Sequence, residues 1–261
     1  MTAEEDVRTW GDCHTEAVTA ICLFSVPPSD ADNYGDDSER ELALSASEDG
    51  TLKVWDLEQG SCIATMRGTD EKGKLVKGNM VQACCVYKTS EGEWEALSGG
   101  KDNHVRRWAV SPAAERFGKE IKHSGQIRKG DRTLLQDDTG PSWMAKHDTM
   151  KGRKGHKGVV SCCCVSEDGK RALTCSGDRT AIFWDLTTGT EMRTLHHVSG
   201  VHSCCFLPGE KVALTASSFA PRLWDVYSGE CLRIFAGHSG EVLHCVSLPR
   251  CFGSASCLLR P

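Results

Sequence analysis

The sequence lacks the features that would direct it to a membrane or out of the cell. No apolar run approaches the roughly 18 residues that a membrane-spanning helix needs. There is no basic-then-apolar N-terminal segment and no Asn-x-Ser/Thr acceptor site. A formal net charge of −5 over 261 residues favours no polyanion and no membrane surface. We therefore expect a cytoplasmic or nuclear protein with no membrane partner.

The sequence contains a unit that recurs along the chain. It is clearest over residues 155–195, where four short strand-like stretches are separated by three turns and the third stretch ends in Trp184-Asp185. Trp-Asp also occurs at Trp55 and Trp224, and Arg107-Trp108-Ala109 is a weaker copy. The last two tryptophans are 40 residues apart, a spacing typical of propeller blades, and the longer spacings before them indicate insertions.

Gly155-His156 at the start of a unit and Trp-Asp near its end resemble the WD-repeat β-propeller family. The resemblance implies an all-β fold with about four recognisable blades and the start of a fifth. Because no Trp-Asp follows Val242, we expect a partial or truncated propeller, and a truncated product without independent function is one alternative. The predicted blades span about 14–68, 79–123, 156–196, 197–236 and, in part, 238–261. Residues 1–13 are an acidic segment with a possible ring-closing strand, and insertions fall at 27–40 and 111–155.

Fifteen cysteines would ordinarily suggest disulfides or a metal site. Nine of them instead fall within four residues after the first valine of a unit, in the strand that lines the crowded centre of a propeller. Residues at equivalent positions are small, for example Ala20 and Ser203, so cysteine serves as a small hydrophobic residue. Neighbours in Cys162-Cys163-Cys164 point to opposite sheet faces and cannot gather on one ion. We predict core packing, no metal site and a reducing compartment.

Two units contain a histidine, a hydroxyl residue, an aspartate and a tryptophan, which invites a hydrolase interpretation. The resemblance implies a structural hydrogen-bond network instead, and repetition in two units, without a Gly-x-Ser-x-Gly elbow, also weighs against catalysis. We therefore predict no catalytic residue, and looser strands in the second unit, which lacks the histidine, and in the fourth, which lacks the aspartate. The network residues are His156, Thr174, Asp178 and Trp184 in one unit and His14, Ser45, Asp49 and Trp55 in the other.

Two insertions offer weaker alternatives. Asp30, Asp32, Gly35, Asp36 and Glu41 match positions of a calcium-binding EF-hand loop, but proline and a strand flank them where helices should stand. The lysines and arginines of 111–155 are diluted by aspartates and have no interleaved aromatic platform, which argues against nucleic acid. Solvated loops are the favoured interpretation of both.

The resemblance implies a non-catalytic scaffold or adaptor that binds other proteins or peptides, with no cofactor and no small-molecule ligand. An enzyme-associated or calcium-responsive regulatory propeller is the alternative. The family's geometry places residues just before the turn aspartates and just before the first valines at one end of the blades. These candidate partner-binding residues are Glu48, Lys101, Gly177, Ala17, Met80, Gly200 and Glu241.

Overall fold

A computed structural model describes residues 13–26, 39–67, 80–110, 147–149, 155–218 and 220–247. These ranges form β-strands and turns only, arranged as four sheets of four strands. In the described part of the chain there is no helix with the length and hydropathy needed to span a membrane. The all-β prediction is therefore confirmed.

Each sheet is an antiparallel meander in which strands follow one another in chain order. Glycines at Gly60, Gly189 and Gly229 turn the third strand into the fourth with φ between 65° and 75°, a left-handed conformation that glycine adopts without steric cost. The strands are β1 Val18–Val26, β2 Arg40–Ser47, β3 Thr51–Asp56 and β4 Ser61–Arg67; β5 Val81–Lys88, β6 Trp94–Gly100, β7 Val105–Ala109 and β8 His147–Thr149; β9 Val160–Val165, β10 Arg171–Ser176, β11 Thr180–Asp185 and β12 Thr190–His196; β13 Val201–Phe206, β14 Val212–Ser217, β15 Arg222–Asp225 and β16 Cys231–Ile234.

The fourth strand of blade two lies where the sequence predicts an insertion. We expected this blade to end near residue 123, but its last strand is His147–Thr149, inside the predicted insertion 111–155. β8 pairs with β7 in the register Arg107↔Asp148. The insertion therefore interrupts the blade between its third and fourth strands. Tryptophan spacing could not reveal this, because it measures total insertion length and not its position within a unit.

Apolar cores lie between successive sheets. Leu44, Val54 and Trp108 belong to one cluster that joins blades one and two, and similar clusters join blades two to three and three to four. The first strands β1, β5, β9 and β13 are neighbours in that order. Hydroxyls on these strands also connect the blades: Thr19 Oγ1 donates to the Val81 carbonyl at 2.7 Å and Ser161 Oγ to the Val201 carbonyl at 2.6 Å.

The cysteines of the first strands pack across these blade boundaries. Cys22 meets Cys84 with their sulfurs 3.8 Å apart, and Cys164 meets Cys204 at the same distance. All cysteines in the described residues are free thiols, and several, including Cys163 and Cys175, are buried in the apolar clusters. Thiols in this part of the chain therefore act as small core residues, as expected.

The start of the predicted fifth blade packs against blade four without forming a strand over its described residues. Val242 and Cys245 are buried with Leu214 and Ala216, and the Val242 N–H donates to the Ser218 carbonyl at 2.9 Å. In the four sheets, a first strand pairs with the second strand of its own blade. The corresponding second strand of a fifth blade would fall in residues 248–261, which lie outside the described ranges.

Candidate functional site

The sheet topology brings two kinds of loop to one end of each blade. In an antiparallel meander, the start of the first strand and the turn between the second and third strands lie at the same end. Backbone hydrogen bonds join the two: Glu48 N–H donates to the Ala17 carbonyl at 2.9 Å, and Lys101 N–H to the Met80 carbonyl at 2.9 Å. We call this end of the blades the turn end. It is built from the turns around Asp49, Asp102 and Asp178 and from residue 218 in blade four.

Blade three contains a continuous chain of polar side chains beneath the turn end. Trp184 Nε1 lies 2.8 Å from Thr174 Oγ1, which lies 2.8 Å from His156 Nε2. His156 Nδ1 is in turn 3.2 Å from an oxygen of Asp178. The sequence places these four residues in one unit, and the structure brings all four into one chain of hydrogen bonds.

The direction of each hydrogen bond follows from the chemistry of the groups. The indole N–H of Trp184 can only donate, so the Thr174 oxygen accepts from it. The Thr174 hydroxyl then donates to His156 Nε2, which must be unprotonated, and the proton on Nδ1 points to Asp178. Burial lowers the pKa of His156 despite the nearby Asp178 carboxylate, which keeps the ring neutral as this arrangement requires.

Blade one repeats the arrangement with serine in place of threonine. Trp55 Nε1 and His14 Nε2 each lie 2.7 Å from Ser45 Oγ, and His14 Nδ1 lies 3.0 Å from Asp49. Asp49 also accepts the backbone N–H of Thr15 at 3.0 Å, which fixes the start of the first strand to the turn.

Both networks include a threonine that the sequence analysis did not single out. Thr51 Oγ1 donates to Asp49 Oδ1 at 2.6 Å and lies 3.0 Å from His14 Nδ1. Thr180 has the same contacts with Asp178, at 2.6 Å, and His156, at 3.2 Å. The signal was present, because a threonine stands two residues after the turn aspartate in both units and Asp-x-Thr is a sequence in which the carboxylate accepts bonds from the following turn.

Blades two and four have incomplete networks. In blade two, Trp108 Nε1 lies 2.8 Å from Ser98 Oγ, and the turn residue Asp102 pairs with Arg106 at 2.5 Å. In blade four, Trp224 Nε1 lies 2.8 Å from Thr215 Oγ1, but the contact from Thr215 to His197 is 3.4 Å. On the other side of the ring, His197 Nδ1 lies 3.3 Å from Ser217 Oγ, and no aspartate of the described residues contacts it.

Asp49 and Asp178, the aspartates of the two complete networks, are held in their ionised form. Burial by itself would raise the pKa of Asp49, but hydrogen bonds from the Thr51 hydroxyl, from two backbone N–H groups and from His14 lower it to about 2. Asp178 has the same balance: burial opposes ionisation, and bonds from Thr180 and Lys157 outweigh it, so its pKa is lowered. Ionised acceptors suit these carboxylates to hold a turn in place.

The geometry does not suit nucleophilic chemistry. Ser45 is only 4% exposed and Thr174 is fully buried, so a substrate cannot reach either hydroxyl. Each hydroxyl also accepts a hydrogen bond from an indole, which withdraws electron density from the oxygen that would have to attack. A satisfied polar network of this kind rigidifies a small sheet.

The predicted partner-binding residues all lie at the turn end. Ala17, Lys101, Gly177 and Glu241 are exposed, and Glu48, Met80 and Gly200 are half-buried. Gly177 and Gly200 meet across the boundary between blades three and four, where a Cβ on Gly200 would lie 3.5 Å from the Gly177 Cα. The end is therefore continuous across the boundary between blades three and four.

The alternative sites fall largely outside the described ranges. Asp30, Asp32, Gly35 and Asp36 of the calcium-loop hypothesis lie there, and Glu41 is an exposed residue of β2. Most of the basic insertion 111–155 also lies outside them. Within the described ranges, no group of three or more histidine, cysteine, aspartate or glutamate side chains is placed to hold a metal ion.

Comparison with known proteins identifies these sheets. The family described as "WD domain, G-beta repeat" matches residues 5–56 and 149–185, the regions that contain the two complete networks. This match and the relatives below support the WD-repeat family for the chain. The four antiparallel sheets are consistent with WD-repeat blades, and the described part of the chain is consistent with part of a propeller.

Several known proteins are similar to this chain over much of its length. WD repeat-containing protein 37 of Homo sapiens is 27% identical over 209 residues, covering 77% of this chain and 40% of the relative. Nuclear distribution protein nudF of Emericella nidulans is 28% identical over 179 residues, covering 61% and 39%. Angio-associated migratory cell protein of Homo sapiens is 26% identical over 249 residues, covering 91% and 48%. The chain thus spans less than half the length of these relatives.

Proposed function

We propose that this WD-repeat chain is a non-catalytic interaction scaffold or adaptor that binds proteins or peptides at its turn end. The observation that supports the proposal most directly is the construction of that end. Polar networks buried below the surface hold the turns, while the residues above them differ in charge from blade to blade, with Glu48 in blade one and Lys101 in blade two. A rigid base with variable surface residues suits selective recognition, because little ordering entropy is lost on binding.

The test is affinity capture from cell extract with matched charge reversals. Glu48→Lys and Lys101→Glu change the turn end, whereas Glu58→Lys and Lys170→Glu make the same changes in exposed turns at the opposite end of blades one and three. We expect a set of captured proteins that the first pair of variants reduces at least tenfold and the second pair leaves unchanged. Equal loss in both pairs, or no loss in either, would contradict binding at the turn end.

A further inference from the structure

Arg222 occupies a position that carries a cation in three of the four blades. It stands two residues before Trp224 on β15, as Lys53 and Arg106 stand two before Trp55 and Trp108. In blade two, Arg106 is buried and its Nη2 lies 2.5 Å from the turn residue Asp102. A largely desolvated guanidinium is costly unless a carboxylate offsets its charge. Blade two supplies that carboxylate from its own turn.

Blade four cannot do so, because its turn runs from Ser217 to Pro221 without an acidic residue. Three arginines in the described residues have a buried N–H without an acceptor, namely Arg106, Arg171 and Arg222. Arg106 has Asp102, and Arg171 has Asp168 and Glu210 within 3.3 Å. Among the described residues, Arg222 has no carboxylate within ion-pair distance, and its Nη1 reaches only the His196 carbonyl, at 3.4 Å.

The positive charge of Arg222 affects the pKa of the neighbouring His197. Burial, and then the positive charges of Arg222 and His196, lower the pKa of His197 to about 4. The charge of Arg222 therefore disfavours a second cation here, in a blade whose turn has no aspartate. An anion would be stabilised there.

Arg222 also lines a cavity. A cavity of about 300 Å³ is lined by Val198, Ser199, Ser217, Ala220 and Arg222. Val198 is 81% exposed at its edge. The next residue after Ser199 is Gly200, one of the predicted partner-binding residues, so the cavity belongs to the turn end. Its volume is at the lower limit of ligand pockets and suits one side chain better than a whole small molecule.

We propose that this cavity receives a carboxylate side chain, aspartate or glutamate, from a partner peptide, which pairs with Arg222 while an apolar neighbour in the peptide covers Val198. The carboxylate takes the place that Asp102 occupies beside Arg106 in blade two. This inference rests on the proposed function, because it assigns a chemistry to one part of the same turn end.

A peptide library tests the proposal directly. The probe is a set of nine-residue peptides randomised around a fixed central residue, which is glutamate, aspartate, glutamine or phosphoserine in four separate pools. The full chain should retain the two carboxylate pools at least tenfold better than the glutamine pool. Equal retention of glutamate and glutamine pools would overturn the proposal, and so would retention of the phosphoserine pool alone, which would indicate a phosphopeptide site.

Two variants locate the site. Arg222→Gln should weaken binding of the selected peptides at least tenfold, whereas Arg233→Gln, which alters an exposed arginine of the same blade, should not. Ser218→Asp places a carboxylate four residues before Arg222, as Asp102 stands four before Arg106. It should raise the thermal midpoint and abolish peptide binding, because the cavity then holds its own anion. Unchanged binding in both Arg222→Gln and Ser218→Asp would refute the proposal even if Arg222→Gln folds poorly.

The outcome is separable from that of the proposed function. If Glu48→Lys and Lys101→Glu reduce partner capture while the library shows no preference for a carboxylate, the scaffold function stands and the Arg222 site is wrong. If the library selects carboxylates through Arg222 but the turn-end charge reversals leave capture unchanged, the site stands and the broader binding surface is wrong.

Discussion

Removing one buried hydroxyl should destabilise blade one more than the same change destabilises blade two. Ser45→Ala deletes an oxygen that accepts from Trp55 and donates to His14, so two buried polar groups lose a partner. Ser98→Ala deletes an oxygen whose side-chain partner in the described residues is Trp108 alone. The substitution is the same, both serines are nearly fully buried, and the two tryptophans are equivalent in the repeat.

The expected magnitude follows from the number of groups left without a partner. Each unsatisfied buried group costs about 1–3 kcal/mol, so we expect a loss of about 3 kcal/mol for Ser45→Ala and about 1.5 kcal/mol for Ser98→Ala. The difference corresponds to about a tenfold change in the unfolding equilibrium.

Urea unfolding followed by tryptophan fluorescence measures both free energies under identical conditions. If Ser45→Ala lowers the free energy of unfolding no more than Ser98→Ala does, the idea that the histidine contributes to the stability of the network is refuted. The double variant Ser45→Ala/His14→Ala gives a further check, since removing both partners should cost less than the sum of the single losses.

Three further predictions concern pH, thiol reactivity and packing. Because the pKa of Asp49 is lowered to about 2 from an ordinary value of 3.8, its contribution to stability is complete above pH 4 and is lost as the pH falls toward 2. Between pH 7 and pH 3, the urea midpoint of Asp49→Asn should therefore fall less steeply than that of the unmodified protein. Equal slopes would contradict this. A hydrogen bond from the Cys204 thiol outweighs burial and lowers the pKa of Cys162 to about 6, whereas burial raises the pKa of Cys175 to about 12. Iodoacetamide labelling read by mass spectrometry should therefore modify Cys162 with a midpoint near pH 6 and leave Cys175 unmodified in the folded protein. A midpoint above pH 8 for Cys162 would disprove the assignment. A Cβ at Gly99 would lie 2.3 Å from Val160 Cγ1, so Gly99→Ala should cost about 1–3 kcal/mol of unfolding free energy. In the double variant, Val160→Ala should recover part of this loss. Strict additivity of the two changes would argue against this contact.

The sequence was sufficient to predict the blades because the residues of each network must stand at fixed spacings. Trp184, Thr174, His156 and Asp178 occur at spacings that only a strand meander brings together, and the same spacings recur at Trp55. What the sequence did not reveal depends on neighbours from distant parts of the chain. The strand His147–Thr149 has no pattern of its own and is defined by pairing with β7. That no carboxylate of the described residues pairs with Arg222 is likewise visible only from the structure. The available signals were an arginine two residues before the tryptophan and a turn without aspartate.

The central claim is that the buried networks of tryptophan, hydroxyl, histidine and aspartate side chains stabilise the blades. The most direct test is the hydrogen-exchange rate of the four indole N–H groups of Trp55, Trp108, Trp184 and Trp224, measured in the native protein by NMR. Slow exchange at Trp55 and Trp184, whose networks are complete, with faster exchange at Trp108 and Trp224, is the result that the claim predicts. Equal rates at all four positions, or faster exchange at Trp55 and Trp184, would contradict it.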